Sequence, residues 1–189
     1  MEEKKMDLKR GLSFVAFGFL FTLVNFNLTF PSGTVNIMPD FVGWILLTMA
    51  FSMLGTYTED KAILKVLSII MIVVSGALWA LDFISTNFDA YWIKMTGNVL
   101  SAVYMFILLG CLEKVASDYG SDKGITLRTL KILTVVINVV LIIIALLSRF
   151  ASLEIIVPAV AVTGVVALVT AVVLAAALFG LRKDINAKL

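Results

Sequence analysis

Six long apolar segments constrain the fold of this chain more than any other feature of the sequence. They cover residues 11–30, 41–57, 63–85, 91–112, 128–148 and 155–181. A helix needs about 20 residues, at about 1.5 Å each, to cross a hydrocarbon layer of about 30 Å. Soluble domains are about 45–50% apolar, whereas this chain is 61% hydrophobic and only 15% charged. We therefore predict one all-α membrane domain over residues 1–189 with six transmembrane helices.

The positions of lysine and arginine predict the orientation of these helices. Of the 15 basic residues, only Lys94 and Arg149 fall on the side opposite the two termini. Cytoplasmic loops of membrane proteins carry the excess of basic residues. We therefore expect a multi-pass protein of the plasma membrane with both termini in the cytoplasm. The first apolar run is too long for a signal peptide and lacks a small-residue cleavage site, so it is interpreted as an uncleaved helix.

Similar sequences begin the first, third and fifth segments. They read LKRGLSFV from Leu8, LKVLSIIM from Leu64 and LKILTVVI from Leu130. Each even segment has one early and one late glycine. This repetition predicts three stacked helical hairpins. The alternative is that apolar helices starting with a lysine, whose chain can reach the headgroups, all look alike.

Small residues recur every four positions in the sixth segment, and they predict a helix-packing face. The positions are Ala159, Thr163, Ala167, Ala171 and Ala175. Small side chains let helix backbones approach closely within lipid. This face could seal the bundle or receive a partner protein.

Residues 25–40, between the first two segments, are neither a polar loop nor a continuation of either segment. Apolar and polar side chains alternate on both sides of Pro31, Ser32 and Gly33. Alternation with a period of two around a turn predicts a short extracellular β-hairpin that caps the bundle. The first helix would then end near Val24. The alternative is a frayed end of that helix followed by an ordinary loop.

The stretch NIMPDFVGWIL, from Asn36 to Leu46, starts the second helix. Pro39 suits a first helical turn, and Asp40 complements the positive end of the helix dipole. The stretch resembles a motif, N-[IL]-[LM]-P-D-F-[IV]-G-[YW]-I-L, of uncharacterised small multi-pass membrane proteins of Gram-positive bacteria. The resemblance implies a bacterial origin and carries no assigned activity.

Acidic, amide and aromatic side chains concentrate on the expected outer side. The candidate ligand-binding residues are Asn25, Asn27, Asn36, Asp40, Trp44, Asp82, Asp89, Trp92, Lys94 and Asn98. A six-helix bundle would gather them at one mouth, with Asp82 paired to Lys94 across one hairpin. This predicts an outward pocket with aromatic walls for a small polar or zwitterionic ligand. The alternative is a set of interfacial anchors and local salt bridges.

Signals for catalysis are absent from the sequence. The chain has no histidine and only one cysteine, Cys111, and it contains no phosphate-binding loop or nucleophile motif. No ionisable residue lies at mid-membrane depth, where proton-coupled transporters place their relays. We therefore expect no enzyme, no metal, no cofactor and no nucleic-acid partner.

Two functions follow from these features. The first is an outward-facing small-molecule-binding or transport subunit. The size, helix number and orientation are similar to those of the substrate-capture components of energy-coupling-factor transporters. That resemblance implies a pocket covered by the loop between helices 1 and 2 and an Ala-x-x-x-Ala pattern in helix 1. Here Ala16 is followed four residues later by Leu20, which departs from that pattern. The second is a non-transporting accessory, scaffold or immunity protein that acts through a membrane partner or a second copy.

Overall fold

The computed structural model describes residues 2–23, 27–30, 33–36, 40–54, 61–84, 91–148 and 153–188. Six helices and two strands make up these ranges. They are α1 Glu2–Leu23, β1 Asn27–Phe30, β2 Gly33–Asn36, α2 Asp40–Leu54, α3 Lys61–Ile84, α4 Tyr91–Asp118, α5 Lys123–Leu147 and α6 Leu153–Lys188. Among the described residues, four helices (α3 to α6) are long and apolar enough to cross a membrane.

The first two helices differ from the predicted segments 11–30 and 41–57. The helix α1 begins at Glu2 and ends at Leu23, so its apolar part from Gly11 covers about 20 Å. The helix α2 has 15 residues, about 22 Å, which is less than the hydrocarbon thickness of about 30 Å. The prediction extended helix 1 into residues that form a strand, because apolarity alone does not separate helix from strand over a short run.

The other four helices extend beyond the predicted apolar segments into charged sequence. The helix α4 continues from the predicted end at 112 to Asp118, and α5 begins at Lys123 rather than at 128. Gly120 has a φ of 57°, the left-handed conformation that commonly ends a helix. The N–H of Ser121 donates to the carbonyl of Ala116 at 2.8 Å and completes this turn.

The strands β1 and β2 form the β-hairpin that the alternating pattern predicted. They pair antiparallel, with Asn27 opposite Asn36 and Phe30 opposite Gly33. Two residues join them, a connection length typical of hairpins. The helix α1 ends at Leu23, next to the predicted position. The predicted faces of the strand side chains lie outside the described part of the structure.

The six helices form a closed ring. Each helix packs against its neighbours in the sequence, α6 packs against α1, and β2 lies against α3. The most extensive contacts join α1 to α2 and α4 to α5, whereas α3 and α4 share less contact. Three stacked hairpins remain a prediction, because these contacts do not single out the pairs 1–2, 3–4 and 5–6.

The buried core occupies one half of this ring. We call the end that holds the start of α1 and the end of α6 the termini end, and the opposite end, which holds the β-hairpin, the hairpin end. Fully buried core residues at the termini end come from α1, α2, α4, α5 and α6. They include Leu8, Leu12, Leu54, Leu112, Val115, Leu127, Leu181 and Ile185. Burial of these side chains, worth about 1.5–3 kcal/mol each where water is the alternative, ties the helices together at that end.

Candidate functional site

The closest helix contact in the ring positions α2. A Cβ atom added to Gly43 would lie 2.6 Å from the carbonyl oxygen of Gly18 and 2.6 Å from Cγ2 of Thr22. Only glycine permits this approach of two backbones, as in other closely packed membrane helices. The crossing fixes the rotation of α2 about its axis. Trp44, the next residue after Gly43, is thereby directed into the ring, where only 3% of its surface is exposed.

The helix α2 stops short of the hairpin end of the ring. Trp44 lies four residues from the start of α2, and Tyr104 lies 13 residues from the start of α4. Their ring centroids are 4.9 Å apart. At about 1.5 Å per residue, α2 therefore begins about 14 Å closer to the termini end than α4 does.

Two contacts with α3 agree on the direction of this offset. The hydroxyl of Thr48 donates to Ser68 at 2.8 Å, and the rings of Phe41 and Trp79 lie 5.5 Å apart. Counted along each helix in the same way, the first contact places the start of α2 about 12 Å closer to the termini end than the last residue of α3. The second contact gives about 6 Å in the same direction. The wall of the ring is therefore lower at α2 than at α3 and α4.

One face of α4 becomes progressively more accessible toward the hairpin end. Lys94, Ser101, Leu108 and Val115 follow one another at seven-residue intervals, so they share one face of the helix. Val115 and Leu108 are buried, Ser101 is half-buried and Lys94 is exposed. On the neighbouring face Gly97 stays buried, seven residues before Tyr104. This face of α4 is thus tightly packed at Leu108 and accessible at Lys94.

The other three long helices repeat this change. In each, one face passes from buried to half-buried toward the hairpin end. On α3 the buried residues are Leu64, Ser68 and Met71, and the half-buried ones are Ser75 and Leu78. On α5 the buried residues are Leu127 and Leu130, and the half-buried ones are Thr134 and Leu141. On α6 the buried residues are Leu178, Leu174 and Ala171, and the half-buried ones are Ala167 and Thr163. Ile137 on α5, 7% exposed, is the exception. We call the half-buried region between these faces the open half of the ring.

An aromatic cluster lies where the open half ends. The ring of Tyr104 packs edge-to-face on Trp44, and the ring of Phe51 lies 6.1 Å from it. The side chain of Tyr104 is fully buried, and its hydroxyl has no hydrogen-bond partner among the described residues. Buried hydroxyls are nearly always hydrogen-bonded to protein or to an ordered molecule. Tyr104 therefore keeps an unsatisfied donor and acceptor within the core, next to the residues whose burial decreases.

A carboxyl group stands one helical turn above Trp44. Oδ1 of Asp40 is buried, and it too has no hydrogen-bond partner among the described residues. The carboxyl group stands at the positive end of the α2 dipole, which favours its ionised form. Its Oδ1 can accept a hydrogen bond or an ion pair.

Most other polar side chains in the open half bond to their own helices. The hydroxyls of Ser75, Thr163 and Thr170 donate to carbonyls four residues earlier. The amide nitrogen of Asn138 donates to the carbonyl of Thr134 at 2.8 Å. Such bonds satisfy the donors inside the membrane and leave acceptor capacity on each oxygen. The lining is therefore mainly apolar, with scattered acceptors.

The structure separates the predicted ligand-binding residues into three groups. Asp40 and Trp44 point into the ring. Trp92, which is 63% exposed, Lys94 and Asn98 are exposed on the first two turns of α4. The remaining five lie wholly or by their side chains outside the described part: Asn25, Asn27, Asn36, Asp82 and Asp89. The predicted pair of Asp82 with Lys94 stays a prediction for this reason.

The predicted packing face of α6 is the least exposed side of that helix. Ala171 and Ala175 are 7% and 9% exposed, and Ala159, Thr163 and Ala167 are half-buried. Their neighbours on the other faces, such as Val165 and Val172, are more than half exposed. The small residues therefore face the rest of the bundle.

Within the part of the chain that the structure describes, no group of three or more His, Cys, Asp or Glu side chains is placed to hold a metal ion. Cys111 is buried at 7% exposure, as expected for a small packing residue. Comparisons of the chain with family models, with curated proteins and with solved structures gave no match.

Sequence reasoning missed the role of Tyr104 and the contact between Gly18 and Gly43. Tyr104 lies seven residues before Cys111, so the two residues share one face of α4, and both are buried. Gly18 and Gly43 lie in different segments, and nothing in the sequence predicts that they meet.

Proposed function

We propose that this protein is an outward-facing membrane subunit that binds a small molecule in the open half of its helix ring. The observation that carries the proposal is the loss of burial along the inward faces of α3 to α6 toward the hairpin end. A ring packed shut at one end and accessible at the other is a concave site between helices, a common location for ligands. The basic residues at the termini end support an outward direction for the opening.

The β-hairpin supports a water-filled opening. Each strand has four residues, about 13 Å, which is similar to the distance by which α2 falls short of α4. The hairpin therefore occupies the low part of the ring wall. A two-stranded sheet has two edges with unpaired backbone groups, and such edges do not occur in contact with lipid. Water in the open half can satisfy the edge that faces it.

The lining indicates the chemistry of the ligand. It offers aliphatic and aromatic surface, a hydroxyl at Tyr104, a carboxylate at Asp40 and a cationic rim at Lys94. A molecule that matches these groups has a compact apolar body and polar or zwitterionic ends. A ligand that fits this lining thus contacts aromatic walls, as in the predicted pocket, and makes more apolar contact than the sequence suggested.

A pair of single-cysteine variants tests whether water reaches the open half. The only native cysteine, Cys111, is first replaced by alanine. Ser101→Cys then places a thiol on the half-buried inward face of α4, 10 residues from its start. Val103→Cys is the matched control at almost the same depth, because Val103 is 45% exposed on a different face of the helix.

A membrane-impermeant maleimide added from outside should label Ser101→Cys and leave Val103→Cys unlabelled, because thiols react as thiolates in water and lipid shields the control. Equal protection of both thiols would contradict an outward aqueous site. Native mass spectrometry of the protein released from nanodiscs, purified from its own host, should then find a retained molecule of a few hundred daltons. That molecule should protect Ser101→Cys from labelling.

One observation favours the accessory function as a second candidate. The part of α6 from Glu154 to Val169 has no buried residue within the described structure. Apolar side chains point outward from it in most directions, which is suitable for contact with a partner helix as well as with lipid. A stoichiometric protein partner and no small molecule in the same native mass spectrum would support this function instead.

A further inference from the structure

Two exposed phenylalanines mark the seam between α1 and α6. Phe17 and Phe179 pack edge-to-face with ring centroids 6.0 Å apart. They remain 47% and 39% exposed, so the pair faces the surroundings of the bundle. At this depth those surroundings are the hydrocarbon of the bilayer. The pair is therefore suited to contact an acyl chain.

Basic side chains lie just beyond this pair, on the side of the termini end. Arg182 and Lys183 follow Phe179 by three and four residues, so both lie on its side of α6 and about 5 Å further along the axis. Arg10 precedes Phe17 by two helical turns on the same face of α1, about 10 Å further toward the termini end. Three cations thus border the aromatic pair where the apolar parts of both helices end.

One of these cations is incompletely satisfied. Nε of Arg182 is buried and has no hydrogen-bond partner among the described residues. Asp184, two residues along α6, accepts a hydrogen bond from Ser121 at 2.6 Å and is directed toward the connection of α4 and α5. A charged donor within an apolar helix is costly unless it meets an anion or another acceptor. Arg182 therefore carries a donor that no described part of the protein satisfies.

We propose that the seam between α1 and α6 at the termini end binds the phosphate of an anionic lipid. The guanidinium of Arg182 donates to phosphate oxygens in the planar geometry that suits them. Arg10 and Lys183 add charge at the headgroup level, and Phe17 and Phe179 contact the acyl chains. Basic pockets between membrane helices on the cytoplasmic side are known sites for anionic headgroups. This site is independent of the open half, which lies toward the other end of the ring.

The test compares lipid retention in two headgroup chemistries. The full-length protein is placed in nanodiscs of equal parts dioleoylphosphatidylglycerol and dioleoylphosphatidylcholine, and co-released lipid is counted by native mass spectrometry. The wild type should retain phosphatidylglycerol in preference to phosphatidylcholine. Arg182→Gln should lower this preference about fivefold, the effect of one basic residue near an anionic surface. Arg10→Gln, at an exposed position that cannot disturb the core, should lower it in the same direction.

Lys65→Gln is the matched control, because Lys65 is exposed on α3 near the termini end and distant from the seam in the ring order. It should leave the preference unchanged. An equal loss in Lys65→Gln and Arg182→Gln would mean diffuse attraction to a charged surface and would overturn the proposal. Displacement of phosphatidylglycerol by millimolar inorganic phosphate, with no dependence on acyl chains, would identify a site for free phosphate and would overturn it as well.

Discussion

Tyr104 stands where the packed and open halves of the ring meet. Its ring contributes to the core through Trp44 and Phe51, while its hydroxyl lacks a partner among the described residues. The two parts of the side chain therefore act in opposite directions on stability. The ring gains from contact with its neighbours, and an unsatisfied buried hydroxyl costs about 1–3 kcal/mol.

Tyr104→Phe separates these two contributions. It keeps the ring contacts and removes the hydroxyl, so we expect the ligand-free protein to gain about 1 kcal/mol of unfolding free energy. Equilibrium unfolding in mixed micelles measures the change. Tyr104→Ala, which also removes the ring, should lose about 3–5 kcal/mol. A loss of stability in Tyr104→Phe would mean that the hydroxyl has a bound partner in the purified protein.

At the scale of elements, the helices α1 and α2 form the most closely packed pair. The backbone contact of Gly18 with Gly43 holds α2 in the rotation that directs Trp44 inward. In this chain the glycine thus permits a close helix crossing, and the tryptophan that follows it is an inward aromatic side chain.

Gly43→Ala tests this crossing. The added methyl would lie 2.6 Å from a backbone oxygen, so the two helices must move apart, at a cost of about 1–3 kcal/mol. Gly76→Ala on α3 is the matched control, since no atom lies within 4 Å of the position of its Cβ. The control should be neutral or gain up to about 1 kcal/mol from better helix propensity. Similar unfolding midpoints for the two variants would show that the crossing is looser than described.

At the scale of the whole molecule, packing is unevenly distributed. The core residues concentrate at the termini end, and the hairpin-end portions of α5 and α6 have few buried neighbours. Regions with few buried contacts and with access to water open at lower free energy than a packed core. The open half should therefore be the more dynamic part of the ring.

Hydrogen exchange in nanodiscs measures this difference within a single helix. On α4, amides near residues 94–101 should exchange at least about tenfold faster than those near 108–115, because the first group borders the open half. The comparison inside one helix controls for lipid, which covers both groups. Uniform protection along α4 would indicate that water does not enter the ring. Slower exchange at 94–101 on addition of a ligand would support binding there.

The sequence by itself determined the membrane class, the number of helices and the position of the β-hairpin. Each depends on local information: apolar length for the helices, and alternation around Pro31 and Gly33 for the hairpin. Orientation also follows from a local property, the distribution of basic residues, and stays a prediction. The apolar segment 11–30 extends beyond the end of α1 because a short alternating strand adjoins the apolar helix.

Only the tertiary structure decided which of these residues lie close together. Asp40, Trp44 and Tyr104 belong to two helices separated by about 60 residues of sequence, and their approach depends on the rotation of α2 set at Gly43. Trp92, aromatic like Trp44, is 63% exposed instead. Apolar segments in lipid carry no strong pattern that marks their inward face, since lipid and core are equally apolar. Helix packing, through a few close contacts, supplied the information that the sequence lacked.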